Sequence, residues 1–169
     1  MSNQIKALEP PDSFYLDGAI GWLELGNHID ANEELKQISP EMRAHPFVLR
    51  VRYDIYAKAQ KWEMAAEVAR GLTVMLPDNS WGYIHWAFSL HELKRTKEAQ
   101  GVLLPIADKF PNQYIISYNL ACYCCQLGQK KESMQWLGKA IDLAGEKVIR
   151  VMALDDPDLE PLRNEILGI

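Results

Sequence analysis

The sequence predicts an all-α fold: an α-solenoid of about four helix pairs, closed by a C-terminal capping helix. Three observations lead there. Leu76-Pro77-Asp78-Asn79 and Phe110-Pro111-Asn112-Gln113 are similar phrases, and the step between their prolines is that of a helix–turn–helix unit of about 34 residues. Small residues keep the same step, Ala65 with Ala99 and Ala87 with Ala121. Between them, Trp62, Ala65, Ala66, Ala69, Leu72 and Leu76 recur at i, i+3, i+4 spacing, as do Ala99, Val102, Leu103, Ile106 and Phe110. Such spacing makes one apolar stripe along a helix. A lone helix pair cannot bury its stripe, whereas stacked pairs can.

Each element follows in turn. Residues 1–11 form an N-terminal leader. Ala19, Trp22, Gly26 and Ala31 mark the first helix pair, and Ala31 stands one full step before Ala65. Pro46 stands closer to Pro77 than one full step, so the turn around Arg43–Pro46 departs from the spacing. Ala65 and Ala99 sit near the start of the second helix of their pairs, where close crossing favours a small side chain. Ala87 and Ala121 sit midway through first helices. Gly128 falls in the turn of the last pair, where an unhindered backbone is useful, and Ala140 near its end. The helix pairs span 12–145. In the remaining 146–169, Val148, Val151, Met152 and Leu154 suit a helical turn or two. Asp155-Asp156-Pro157-Asp158 then reads as a helix start, and Leu159, Leu162, Ile166 and Leu167 as the apolar side of a short final helix.

This layout resembles the tetratricopeptide repeat, a helix–turn–helix unit of the same period. Asn119-Leu120-Ala121-Cys122-Tyr123 through Leu127-Gly128 resembles the family's first-helix pattern, and the resemblance covers about Asp12 to Ala144. The phrase Ala153 to Leu162 resembles a closing segment of some bacterial tetratricopeptide proteins, which points to a bacterial source. The resemblance implies a right-handed solenoid whose first helices line a concave face. Carrying the family's groove positions onto this chain gives Phe47, Arg50 and Asp54, then Trp81, Ile84, His85 and Phe88, then Ile115, Tyr118, Asn119 and Cys122. Trp81, Ile84 and Phe88 share one helix face by spacing, as do Ile115, Tyr118 and Cys122; packing between repeats is the alternative role for these side chains. In the family an Asn at the position of Asn119 often hydrogen-bonds an extended peptide, since an amide donates and accepts at once; an ordinary solvated Asn is the other reading.

Composition narrows the function. With 23 acidic against 18 basic residues and a net charge of -5, the chain lacks the cationic surplus that phosphate neutralisation needs, so nucleic acid is not expected. No apolar run approaches the roughly 18 residues of a membrane span. Met1–Pro11 has neither a basic n-region nor an apolar h-region. Cys122, Cys124 and Cys125 are too few and too close for a disulfide framework, which suggests reduced thiols and a cytoplasmic setting.

Chemistry is hard to find. His28, His45, His85 and His91 do not pair at i, i+4 as a zinc-protease motif requires. Cys122 and Cys125 could share a helix face, but a structural zinc needs four ligands and no second short-spaced pair exists. Cys124 falls on an inward family position, where a thiol behaves as a small hydrophobe. There is no phosphate loop and no nucleophile elbow. No enzyme, metal or cofactor is expected.

The leading expectation is an adaptor or chaperone-like module holding a protein or peptide partner. Among the groove positions only Arg50 and Asn119 resemble the family's carboxylate clamp. The others favour an apolar or amphipathic segment docking by burial. The alternative is a self-associating scaffold whose aromatic face meets its own copy.

Overall fold

The computed structural model describes residues 7–168, and among them every regular element is helical. The leader assigned to 1–11 therefore lies partly outside the described residues. Its inner end is not a bystander, because Leu8 is buried in a core.

Four helix pairs follow: α1 (Asp12–Glu24) with α2 (His28–Gln37), α3 (Pro46–Lys58) with α4 (Trp62–Met75), α5 (Ser80–Glu92) with α6 (Thr96–Lys109), and α7 (Tyr114–Gln126) with α8 (Lys130–Ala144). The first helices begin at 12, 46, 80 and 114, and the second at 28, 62, 96 and 130. Every step equals that between Pro77 and Pro111, so the first pair is fully in register. Pro46 is the first residue of α3 and corresponds to Ser80 and Tyr114, not to Pro77. Proline is favoured at that position because its missing N–H would be unpaired there anyway. The short 3-10 turn Pro40–Met42 fills the connection before it, and Arg43 donates to the carbonyls of Ile38 (3.0 Å) and Lys36 (3.1 Å), which end α2.

The turns explain the period. Gly26, Gln60, Lys94 and Gly128 all have positive φ, between 55° and 79°, and follow one another at the repeat step. After each, the next N–H reaches back to the same point of the preceding helix: Asn27 to Trp22, Lys61 to Tyr56, Arg95 to Leu90 and Gln129 to Cys124, at 2.8–2.9 Å. This closure satisfies carbonyls left open at a helix C-terminus and needs a left-handed residue. The small position of the second helix is equally regular: Ala31, Ala65, Ala99 and Ser133 are all fully buried. Ser133 is tolerated because its hydroxyl donates to the Ala121 carbonyl at 2.7 Å.

The chain forms two compact units, 1–82 and 83–169. The core of the first gathers Leu8, Leu16, Ala19, Leu35, Ile38, Val48, Val51 and Ile55. That of the second gathers Leu103, Ile116, Leu120, Tyr123, Leu137 and Ile149 with Leu159, Leu162 and Ile166 of the tail. The tail is built differently from the sequence expectation. α9 (Glu146–Asp155) is a full helix that buries Ile149 and Ala153, while Val148 and Val151 are exposed. Pro157–Leu162 is a 3-10 segment, capped by Asp156 accepting from the Asp158 N–H at 2.9 Å. Only Arg163–Leu167 is α-helical (α10), and Leu167 is exposed. No helix among the described residues is long and apolar enough to cross a membrane.

Candidate partner-binding surface

The eleven groove positions fall into two sets, one per unit. In the first unit, Phe47, Arg50 and Asp54 follow one another along α3 at i, i+3, i+7, and Trp81 opens α5. The Arg50 guanidinium lies 5.3 Å from the centre of the Trp81 ring. Trp81 in turn meets Tyr53 edge-on at 5.1 Å. The Arg50 Nε is buried with no hydrogen-bond partner among the described residues, which leaves the Trp81 face as the guanidinium's cation–π contact. Arg50 is thus committed to Trp81 rather than presented as a clamp. Phe47 remains partly exposed and stands edge-on to His45 at 5.2 Å.

Asp54 faces an open hollow of about 540 Å³ between α1 and α3, lined also by Ile20, Leu23, Glu24, Ala57 and Lys58. The residue as a whole is exposed, yet burial of its carboxyl group among these neighbours raises its pKa to about 6. A partly desolvated carboxylate resists ionisation. The α1 residues of this hollow escaped sequence reasoning, which carried no groove position onto the first pair. Their signal was present in the i, i+3, i+4 spacing of Ile20, Leu23 and Glu24.

In the second unit the picture is different. Ile84 and Ile115 are half-buried against that unit's core. His85 and Asn119 are half-buried, and Phe88 is exposed. Tyr118 and Cys122 do not line an open groove: both are buried, because the tail covers this face of α7. The Tyr118 hydroxyl donates to Asp156 Oδ2 at 2.8 Å, and the Cys122 thiol points at the same oxygen from 3.5 Å. Desolvation first, and the Asp156 carboxylate second for the thiol, push both groups up from their ordinary values.

The tail is fastened at further points. Gln126 donates to the Asp158 carbonyl at 2.8 Å, and Lys130 to the Pro161 carbonyl at 3.4 Å. His91 is buried, with Nε2 2.8 Å from Asp158 Oδ2 and Nδ1 2.9 Å from Thr96 Oγ1. Its ring packs on Tyr123 at 4.9 Å. Asp156, Asp158, Gln126 and His91 were not singled out for this role, since their partners across the tail contact lie far away in sequence. The three cysteines are buried and unbridged. Cys124 does pack inward, accepting from Gln100 Nε2 at 3.2 Å.

No family model and no curated protein matches this sequence. Solved structures do match in fold, among them two forms of MamA. The MamA RS-1 ArsTM double mutant superposes with a TM-score of 0.73 at 18% identity, covering 96% of this chain and 93% of its own. MamA 41-end from Desulfovibrio magneticus RS-1 gives 0.73 at 18% identity, over 96% and 94%. At that identity the likeness speaks for the fold alone, and it agrees with the repeat register: the chain has an all-α, tetratricopeptide-like fold.

Proposed function

We propose that this chain is a non-catalytic, adaptor or chaperone-like module that holds a segment of a partner protein against the first helices of its N-terminal unit. The observation that carries this reading is the open hollow between α1 and α3, where Ile20 is exposed beside Leu23 and Ala57. Helical repeats use the surfaces of successive first helices for binding. The equivalent face of α7 is occupied by the chain's own residues 156–162, so the partner surface shifts away from Tyr118 and Cys122. A cytoplasmic setting fits the three free thiols.

Self-association is the second reading. Phe14, Leu25 and Ile29 are 66%, 77% and 65% exposed, and large exposed apolar side chains are what a self-association interface would cover. Pull-down from lysate with wild type, Ile20→Ser and Phe14→Ser/Leu25→Ser separates the two. A partner lost only with Ile20→Ser supports the adaptor reading. Recovery of the chain's own copies alone, lost with the double variant, would replace it by self-association. A partner retained by every variant would refute both surfaces.

A further inference from the structure

The hollow of the first unit has a charge character as well as a shape. Its apolar floor is Ile20, Leu23 and Ala57, and its polar rim is Glu24, Asp54 and Lys58. Two carboxylates thus stand against one ammonium. Neither Glu24 nor Asp54 makes a hydrogen bond or ion pair with the described residues. The other two cations of α3, Arg50 and Arg52, do not line the hollow, and Arg50 is engaged over Trp81. A carboxylate held among apolar groups without a counter-ion is stabilised by any cation brought to it, and more strongly as water is displaced.

From this we infer that the hollow takes a basic amphipathic helix: a partner segment whose apolar stripe fills the floor while a flanking Lys or Arg meets Asp54 and Glu24. This inference rests on the adaptor reading and specifies its partner. Phosphate-bearing ligands and acidic peptides are disfavoured here, because they would bring like charge to the rim. Docking by an amphipathic helix matches the separation of apolar floor and charged edge. An acidic rim also speeds the encounter with a cationic segment in a salt-dependent way.

The test uses two synthetic probes: an amphipathic helix of Leu and Lys, and its twin with Glu in place of Lys. Binding to the full chain is measured by fluorescence anisotropy for wild type, Glu24→Gln/Asp54→Asn, Ile20→Ser and, as a control in the other unit, Phe88→Ala. Far-ultraviolet circular dichroism checks that each variant keeps its helices. The inference expects wild type to bind the Lys probe and not the Glu probe. The carboxylate variant should weaken binding by about tenfold, as loss of a partly desolvated charge contact does, and Ile20→Ser should weaken it as well, while Phe88→Ala changes nothing. If Ile20→Ser weakens binding but the carboxylate variant does not, or if both probes bind equally, the charge inference fails and the hollow survives as an apolar site. If neither variant has any effect, or wild type binds neither probe, the inference and the adaptor reading of this hollow fail together.

Discussion

At the scale of single residues, the left-handed turn positions show what the fold tolerates. Gly26 and Gly128 adopt positive φ without a Cβ penalty, but Gln60 and Lys94 adopt φ of 55° and 63° with one. A non-glycine residue there is strained by about 1–2 kcal/mol, partly offset by the extra chain entropy glycine loses on folding. Lys94→Gly and Gln60→Gly should therefore each stabilise the protein by about 0.5–1 kcal/mol, raising Tm by about 1–4 °C. Differential scanning calorimetry checks this; a lower Tm would show that these side chains do more than occupy a turn. Asp54 offers a second test. Its folded pKa of about 6 lies above its ordinary 3.8, so the folded state holds more protons than the unfolded chain between these values. Stability accordingly falls as pH rises through that window. Water still reaches the side chain, and the penalty is less than about 1 kcal/mol. Asp54→Asn should raise Tm slightly at pH 7 and leave it unchanged near pH 3.5, read from paired melts.

At the scale of elements, the tail decides which faces are open. Leu159, Leu162 and Ile166 are almost wholly buried, so residues 157–166 belong to the core of the second unit and are not a loose flap. Replacing one buried leucine by alanine costs about 2–5 kcal/mol. Leu159→Ala should thus loosen the cover over α7. In wild type, Cys122 is buried and its thiol is held protonated by desolvation, so a thiol reagent should label the native protein slowly. Leu159→Ala should label faster at Cys122, identified by mass spectrometry of the peptides. Equal rates would mean that the cover lies elsewhere. The apolar side of the tail, Leu159, Leu162 and Ile166, was legible in the sequence, but the helix face it covers was not. Pro157 and Pro161 break the helical period that reveals the other elements, and the contacts that bury Tyr118 and Cys122 come from Asp156, more than a whole repeat unit away for Tyr118. The helix pairs, by contrast, could be read because close crossing within each pair demands a small side chain at a fixed place. Pro46 misled the spacing only because a proline can mark a connection or the first turn of a helix.

At the scale of the whole molecule, one sequence pattern is used for two ends. The first unit keeps the hollow between α1 and α3 open, with Ile20 exposed at its floor. The second unit fills the corresponding face of α7 with its own chain through Asp156, Asp158 and the apolar residues behind them. Groove positions carried over by register alone therefore mix accessible side chains such as Phe47 and Phe88 with covered ones such as Tyr118 and Cys122. Register assigns a position to a helix face, but it does not say what else packs there. Site-specific photo-crosslinking tests this account most directly. A photoreactive phenylalanine analogue would replace Ile20 in one protein and Phe88 in another, both expressed in cells. The account predicts a discrete cross-linked partner from position 20 and none from position 88. A partner captured at position 88 alone would contradict it and move the binding face to the second unit.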